Sequence, residues 1–413
     1  MKTKGQIASL MQIRRTLPPA AAPIAITDLL HGLAGVFFGA RYLRRLERDV
    51  REYFGTRHVF FVSSGKAALT VILRALKSVS PGKGRVLIPA YTCYSVPSAI
   101  VKAGLQVSLC DIDPVTLDFN SRLLDDAITE DTLCVIPDHL FGVPADLDRI
   151  TGLCKRKGVF VVEDAAQAMG GTYQGRPLGT IGDVGFFSLG RGKNITCGSG
   201  GIIVTESKVI AAAIRKEYSL LKEPGMSQLI REFVKAALLG IFIHPSLYWL
   251  PSGLPHLRLG ETIFYRDFPM KKLTGMHAGL LRGFRERLQA ANGIRKENAA
   301  WFRNELKLPQ VQDGSLPYLR LPLVVKNREM REKILSLSRE KGLGISPLYP
   351  APIHEIAEIR CQFNGQDYPV AKEIAESLIT LPTHHLLSTK DKERICRHLS
   401  GQVEAFSFQR AIA

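Results

Sequence analysis

The stretch from Val161 to Thr205 decides the fold, and it reads VVEDAAQAMGGTYQGRPLGTIGDVGFFSLGRGKNITCGSGGIIVT. A hydrophobic strand ends at Glu163 and Asp164, and open α/β sheets bind ligands at such carboxyl ends of their strands. A second short strand ends at Ser188, and Lys193 follows it in a glycine-rich loop. A lone loop lysine is usually just solvated, but its position after two strand ends predicts a ligand site here.

Short hydrophobic strands alternate with helical periodicity on both sides of this stretch. The pattern predicts strands at 58–62, 86–88, 107–109, 133–136, 159–162 and 184–187. It predicts helices at 43–53, 67–76, 95–102, 147–157, 208–221 and 273–306. Such alternation is typical of an α/β fold whose mainly parallel sheet is covered by helices on both faces.

The chain divides into three predicted parts. Residues 1–45 form an N-terminal arm, and residues 46–270 form a large domain that carries an apolar insertion at about 224–270. Residues 271–413 form a bridging helix and a small C-terminal α+β domain. The length of 413 residues allows one large core and a smaller second one.

A second ligand signal lies upstream, where Ser63-Ser64-Gly65 leads directly into a helix. A helix N-terminus attracts anions because its free N–H groups and its dipole point outward. The same Ser-Gly pattern also serves as an ordinary helix cap, and in isolation that interpretation is favoured. Taken with Asp164 and Lys193, the stretch is a candidate phosphate site.

In order and spacing, these motifs resemble the DegT/StrS-type nucleotide-sugar aminotransferases of fold type I, the aspartate aminotransferase superfamily. The resemblance runs from about residue 46 to residue 387 and is broken by 224–270. The motifs that carry it are Ser63-Ser-Gly-Lys-Ala-Ala-Leu69, Pro89-Ala-Tyr-Thr92, Asp111-Ile-Asp113 with Thr116, His139-Leu-Phe-Gly142, Ala145-Asp-Leu-Asp148, Glu163-Asp-Ala-Ala-Gln167, Phe187-Ser188 with Lys193, Leu348-Tyr-Pro350 with His354, and Leu381-Pro382 with His384.

The resemblance implies a pyridoxal 5'-phosphate enzyme with a large domain, a seven-stranded sheet and a small C-terminal domain. Lys193 is implied as the residue that holds the cofactor as a Schiff base and then moves protons. Asp164 is implied to keep the pyridine nitrogen protonated, so that the ring accepts electrons. Gln167 is implied near the ring hydroxyl. The residues implied around the phosphate are Ser64, Gly65, Lys66 and Ser188.

This chain departs from the family pattern at four places. Lys66 stands where the family commonly has Thr, and it either adds a charge to the phosphate site or points away. Cys93 replaces an aromatic residue that stacks on the cofactor. Ser199 replaces the Glu of Gly-Glu-Gly-Gly, and Met270-Lys-Lys272 replaces the Asn-Tyr-Arg that reaches a neighbouring subunit. Because the family's dehydratase branch has His in place of Lys193, the retained lysine favours transamination.

Composition narrows the class of protein further. The net charge of +17 suits anionic substrates or surfaces, but no nucleic-acid-binding signature accompanies it, so no nucleic-acid partner is expected. Seven cysteines without a C-x-x-C pair indicate neither a zinc site nor a disulfide scaffold, and a reducing cytoplasm fits best. The scattered histidines His139, His354, His384 and His385 favour ordinary hydrogen bonding, so no metal is expected.

The apolar insertion has two interpretations. Residues 228–257 are unusually rich in large apolar side chains for a surface segment. The favoured interpretation is that they pack on a partner subunit, which agrees with the homodimer that the resemblance implies. The alternative is an interfacial segment on a membrane, aided by the net positive charge, which would make a cytoplasmic protein peripheral to the membrane.

The sequence thus favours transamination of a keto-sugar nucleotide with glutamate or glutamine as donor, in amino-sugar or surface-polysaccharide biosynthesis. One alternative is an aminotransferase that acts on a non-nucleotide or lipid-linked carbonyl substrate. A second alternative is a regulatory protein that binds pyridoxal phosphate without turnover. The retention of Lys193, Asp164, Gln167 and Ser188 argues against this last alternative.

Overall fold

The computed structural model describes residues 14–22, 24–254, 257–309 and 316–400. A seven-stranded sheet lies at its centre, in the order β1-β9-β8-β5-β4-β2-β3. Its strands are β1 (His58–Val62), β2 (Arg85–Pro89), β3 (Gln106–Cys110), β4 (Thr132–Val135), β5 (Phe160–Asp164), β8 (Val184–Ser188) and β9 (Gly201–Thr205). This is the α/β fold that the alternating pattern predicts.

The direction of the strands explains where the site lies. The strands β3, β2, β4, β5 and β8 run parallel to one another, while β9 is antiparallel to both β8 and β1. All seven strands are dominated by buried residues because helices cover both faces of the sheet. The carboxyl ends of β4, β5 and β8 therefore meet at one edge, and the loops that follow them contain Asp138 and Lys193.

Helices of the large part of the chain flank this sheet. They are α1 (Ile26–Phe37), α2 (Gly39–Phe54), α3 (Gly65–Val79), α4 (Ser95–Lys102), α5 (Leu124–Ala127), α6 (Leu147–Lys157) and α7 (Lys208–Ser219). The ribbon β6 (Thr172–Tyr173) and β7 (Arg176–Pro177) lies between β5 and β8 in the chain. The α2 helix spans the predicted boundary between residues 45 and 46, and the division into three parts stays a prediction.

The helix predicted over 273–306 is not continuous. It is divided into α10 (Gly275–Leu280) and α11 (Phe284–Glu305), and Gly283 separates them with a left-handed backbone at φ 69°. Glycine adopts this conformation without the steric cost that a Cβ would add, so it ends one helix and begins the next. Periodicity alone missed the break because apolar residues continue at helical spacing across it.

The C-terminal part is a two-stranded antiparallel sheet with helices against it. The strands are β10 (Arg320–Val324) and β11 (Leu378–Pro382), and the helices are α12 (Arg328–Lys341), α13 (Pro369–Ser377) and α14 (Thr389–Leu399). Two 3-10 turns, Ile353–Glu355 and Arg360–Phe363, lie between α12 and α13. This mixture of strands and helices follows the predicted α+β pattern.

The apolar insertion contains two helices, α8 (Met226–Phe242) and α9 (Trp249–Ser252). The α8 helix packs against α1. The backbone of the insertion also meets the start of the described chain, where the N–H of Thr16 donates to the carbonyl oxygen of Pro245 at 2.8 Å. Within the described ranges, no helix is both long and apolar enough to cross a bilayer.

Candidate active site

Asp164 ends β5, and its side chain is buried at the carboxyl edge of the sheet. One carboxylate oxygen accepts a hydrogen bond from the N–H of Ala166 at 3.0 Å. Burial raises the pKa of Asp164, while the hydrogen bond from Ala166 and the positive charge of Lys193 favour the ionised form. The predicted lysine and the predicted carboxylate therefore act on each other across the site.

A second buried carboxyl group, Asp138, stands beside Asp164, and the sequence analysis did not single it out. The two residues form a parallel bridge, and the hydroxyl of Thr92 donates to Asp138 at 2.7 Å. Burial, and then the negative charge of Asp164, raise the pKa of Asp138 well above its ordinary value. These effects favour the proton on Asp138 rather than on Asp164. Its place directly after β4 was the sequence signal that could have found it.

Glu163 precedes Asp164 at the end of β5. Its hydrogen bonds stabilise the fold and are not part of the site. Its carboxylate accepts hydrogen bonds from the backbone N–H groups of Gly179 and Gly182, and from His139 at 3.0 Å. Although burial opposes it, the hydrogen bond and charge of His139 hold the pKa of Glu163 below its ordinary value. Adjacent residues of a strand point to opposite faces, so Glu163 and Asp164 serve different sides of the sheet.

The loop of Lys193 is held by Arg295 of α11. The guanidinium of Arg295 donates to the backbone carbonyl oxygens of Lys193 at 3.3 Å, Asn194 at 3.1 Å and Ala21 at 3.3 Å. Arg295 is 2% exposed, and burial lowers its pKa to about 10. It has no carboxylate partner among the described residues, so its charge is balanced by carbonyl dipoles. Arg295 is therefore a positioning residue for the lysine loop.

The predicted phosphate site forms where α3 begins. A Cβ added to Gly65 would lie 3.1 Å from the Cβ of Ser188, so only glycine lets the start of α3 approach β8 this closely. The hydroxyl oxygen of Ser64 accepts from the N–H of Ala67 at 3.2 Å and caps the helix. The structure brings Gly65 and Ser188 together, and it engages Ser64 as the N-cap that the sequence left as an alternative.

Lys66 has other contacts in this structure. Its ammonium group lies 4.5 Å from the ring centre of Tyr265 and 4.6 Å from that of Phe268. Burial lowers the pKa of Lys66. These cation–π contacts hold the charge against the end of the insertion, and the participation of Lys66 in the phosphate site stays a prediction.

Gln167 and Tyr349 close another side of the site. The amide nitrogen of Gln167 donates to the hydroxyl of Tyr349 at 2.9 Å, and the N–H of Tyr349 donates to the hydroxyl of Tyr91 at 3.3 Å. The amide oxygen of Gln167 is buried and has no hydrogen-bond partner in the described part of the chain. A buried acceptor without a donor is costly, so this oxygen points to a ligand that donates a hydrogen bond.

Comparison with known proteins fixes the family. The model of the DegT/DnrJ/EryC1/StrS aminotransferase family matches residues 33–400. This chain belongs to that family. It is 35% identical over 369 residues to the pleiotropic regulatory protein of Geobacillus stearothermophilus, covering 87% of this chain and 88% of that protein. It is 27% identical over 379 residues to a UDP-N-acetyl-3-dehydro-alpha-D-glucosamine 3-aminotransferase of Acidithiobacillus ferrooxidans, covering 89% and 92%.

Solved structures of the family share the fold. The aminotransferase PseC of Helicobacter pylori, which is involved in the biosynthesis of pseudoaminic acid, superposes with a TM-score of 0.75. Its sequence is 17% identical, and the match covers 95% of this chain and 100% of that one. The α/β fold is thereby confirmed, and the family match over residues 33–400 confirms the DegT/StrS resemblance and the assignment as a pyridoxal-phosphate-dependent aminotransferase.

The residues at the site fit pyridoxal phosphate. The orphaned amide oxygen of Gln167 suits a ring hydroxyl as donor, and the buried carboxylate of Asp164 suits a protonated pyridine nitrogen. Lys193 would hold the cofactor, and Ser188 with the first turn of α3 would bind its phosphate. No three His, Cys, Asp or Glu side chains cluster in a way that could hold a metal ion in the described ranges.

The buried His384, in the C-terminal part, makes the stability of the protein depend on pH. Its Nε2 donates to the carbonyl oxygen of Pro18 at 2.8 Å, and its Nδ1 accepts from the N–H of Leu386 at 3.3 Å. This pairing requires the neutral ring, and burial lowers the pKa of His384 to about 4. An unfolded histidine has a pKa of about 6.5, so the unfolded chain binds more protons between these values.

We therefore expect the free energy of unfolding to fall as the pH drops from about 6.5 toward 4, with His384 contributing about 3 kcal/mol of the loss. Urea unfolding of the wild type and of His384→Gln at several pH values measures this contribution. The difference in stability between the two proteins should shrink at low pH. A difference that stays constant over this range would contradict the assignment of a neutral, buried His384.

Proposed function

We propose that this enzyme transfers an amino group from glutamate or glutamine to the carbonyl carbon of a keto-sugar nucleotide. The observation that carries the proposal is the buried carboxylate of Asp164 at the end of β5, whose ionised form the charge of Lys193 favours, in a chain of this aminotransferase family. The relative from Acidithiobacillus ferrooxidans supports the substrate class by its printed activity on a UDP-sugar. The net charge of +17 favours a diphosphate-bearing substrate. Such a product suits amino-sugar or surface-polysaccharide biosynthesis.

The chemistry divides between the cofactor and the protein. Pyridoxal phosphate, when bound, supplies an electron-accepting ring and a carbon that carries the amino group from donor to acceptor. The carboxylate of Asp164 would keep a proton on the pyridine nitrogen of the bound cofactor, and burial beside Asp164 favours a neutral Asp138. The amine of Lys193, when free, would move a proton between the α-carbon of the substrate and a carbon of the cofactor. Arg295 keeps the loop of this lysine in place.

Two alternative functions can be distinguished from amino transfer to a sugar nucleotide by experiment. The relative from Geobacillus stearothermophilus bears the name of a regulatory protein, which suits a cofactor-binding protein without turnover. An aminotransferase for a non-nucleotide or lipid-linked carbonyl substrate is the other alternative, and it is favoured by Met270-Lys-Lys272 and by the apolar insertion. The retained Lys193 and Asp164 support turnover over a regulatory role.

A two-stage assay separates these functions. In the first stage, glutamate and glutamine are mixed with the cofactor-loaded protein, and the loss of its visible absorbance is followed. In the second stage, the aminated protein receives a panel of keto-sugar nucleotides and a matched panel of free keto sugars. We expect both half-reactions, with the nucleotide panel preferred. No first half-reaction with either glutamate or glutamine would refute the proposed amino transfer, and equal use of free keto sugars would refute the nucleotide substrate.

An exposed apolar face on α1 and α8 supports a homodimer. The two helices pack against each other, and both carry large apolar side chains exposed to solvent. These side chains are Ile26, Leu30, Leu33, Phe37, Met226, Ile230, Val234, Leu238 and Ile241. A contiguous apolar surface of this kind usually marks an interface. We propose that a second copy covers it, and that peripheral membrane contact through 228–257 is the competing arrangement for a cytoplasmic enzyme.

Light scattering and vesicle flotation tell these arrangements apart. We expect the wild type to be a dimer in solution and to stay at the bottom of the gradient with anionic vesicles. Replacing Ile230 and Val234 together with glutamate should yield a monomer, since two charges would be buried at the interface. A matched control replaces the exposed Val209 of α7, away from this face. Flotation of the wild type that is lost in a variant lacking 228–257 would support the membrane arrangement instead.

A further inference from the structure

Residues 15–21, which we call the strap, lie between the C-terminal part of the chain and the loop of Lys193. At the first end of the strap, the guanidinium of Arg15 donates two hydrogen bonds to the carboxylate of Asp391 in α14. One comes from Nε at 3.0 Å and the other from a terminal nitrogen at 2.7 Å. Because the pairing is bidentate and the carboxylate is 2% exposed, it holds the strap more firmly than an exposed ion pair would.

The backbone after α12 leaves room for the strap at two glycines. The N–H of Leu17 donates to the carbonyl oxygen of Gly342 at 3.0 Å. A Cβ added to Gly342 would lie 2.8 Å from the carbonyl oxygen of Arg15. A Cβ added to Gly344 would lie 2.9 Å from the Cβ of Leu17. Only glycine therefore lets the strap approach the C-terminal part this closely, and the buried Leu17 fixes it there.

Two further hydrogen bonds fix the middle of the strap. The Nε2 of His384 donates to the carbonyl oxygen of Pro18 at 2.8 Å, and the N–H of Thr16 donates to that of Pro245 at 2.8 Å. The first bond comes from the C-terminal part and the second joins the strap to the apolar insertion. The strap is thus held by two parts of the chain that are distant from it in sequence.

The other end of the strap contacts the loop of Lys193. Ala20 packs against Gly192, since a Cβ added to this glycine would lie 3.5 Å from the Cβ of Ala20. One terminal nitrogen of Arg295 donates to the carbonyl oxygens of both Ala21 and Lys193, each at 3.3 Å. This guanidinium therefore joins the strap to the backbone of the lysine itself. Because Arg295 is 2% exposed, water does not readily replace a carbonyl oxygen that moves away.

We propose that the strap positions the Lys193 loop, and that Arg15 is a remote positioning residue for amino transfer. The inference rests on the proposed function, in which Lys193 holds the cofactor. Without the bonds from Arg15 to Asp391, the strap is held less firmly on the C-terminal part. The carbonyl oxygen of Ala21 then moves more freely beside Arg295. Since the same nitrogen of Arg295 also binds the carbonyl oxygen of Lys193, the backbone of the lysine becomes less ordered.

Hydrogen exchange of the cofactor-loaded protein tests this link without turnover. We expect Arg15→Gln to speed amide exchange at least about threefold in peptides that cover the strap and residues 189–198, and to leave the peptides of β4 and β5 unchanged. A general loss of stability would instead speed exchange in those strands as well. Arg57→Gln is the matched control, because it removes an arginine that pairs with Glu206 at 3.2 Å outside the strap. Exchange in residues 189–198 should be the same in this control as in the wild type.

The pH dependence of the cofactor's visible absorbance is a second readout, which a merely stabilising role of the strap would not change. Its midpoint reports the pKa of the nitrogen that Lys193 contributes to the bond with the cofactor, and this pKa depends on how the loop orients the lysine. We expect the midpoint to move by at least about 0.3 pH units in Arg15→Gln. It should return toward the wild-type value in Arg15→Lys, which keeps the charge.

An unchanged rate of exchange in residues 189–198 of Arg15→Gln would overturn the proposal, and so would an unchanged midpoint. Equal effects in Arg57→Gln would also overturn it, since they would not depend on the strap. If both readouts change as expected but neither glutamate nor glutamine gives a half-reaction, the proposed function fails and the link between the strap and Lys193 stands.

Discussion

Replacing Lys193 with alanine should lower the rate of amino transfer by at least about a thousandfold and remove the covalent attachment of the cofactor. The loss of a positioned proton-transfer group alone costs about 10²- to 10⁴-fold. The loss of the nucleophile adds to that cost, because residues 189–198 contain no other lysine. Lys66, the other predicted lysine of the site, is engaged with the rings of Tyr265 and Phe268.

The measurement is borohydride reduction of the purified protein, followed by peptide mapping. A pyridoxyl group should appear on the peptide that contains Lys193 in the wild type and be missing in Lys193→Ala. Lys208→Ala is the control, because Lys208 is an exposed lysine at the start of α7. The cofactor absorbance of this control variant and its rate of amino transfer should equal those of the wild type. A pyridoxyl group on another lysine of the wild type would refute the assignment of Lys193.

Replacing Asp164 with asparagine should lower the rate by about 100- to 1000-fold, whereas Asp138→Asn should change it by less than about threefold. The two carboxyl groups are neighbours, but burial and the charge of Asp164 raise the pKa of Asp138 and favour its protonated form. A neutral amide therefore resembles Asp138 as it already stands, and it can still accept from Thr92. In Asp164, the same exchange removes the negative charge that holds the proton on the pyridine nitrogen.

Cofactor affinity and the rate of the glutamate half-reaction are measured for both variants. Asp164→Asn should bind the cofactor more weakly and react slowly, while Asp138→Asn should do neither. If the effects were reversed, the proton of the pair would reside on Asp164 and our assignment would be wrong. Equal, large losses in both variants would show that the two groups share the charge.

Local patterns in the sequence predicted most of the elements that build the site. The strand that ends at Asp164 and the loop of Lys193 follow from hydrophobic runs and glycines within one stretch, and both lie at the sheet edge where the pattern placed them. The helix at 147–157 was predicted over the residues that form α6 because Asp146 and Gly158 mark its ends. Signals of this kind depend on neighbours in the chain, so one sequence suffices to find them.

The sequence by itself determined the family and the α/β fold, and it predicted Asp164 and Lys193 as the reactive pair. Only the tertiary structure decided which distant groups surround that pair, because their positions depend on packing between elements far apart in the chain. Arg295 reaches the Lys193 loop from 102 positions away, and Tyr349 reaches Gln167 from 182 positions away. The raised pKa of Asp138 likewise arises from burial beside Asp164, which a linear sequence does not express.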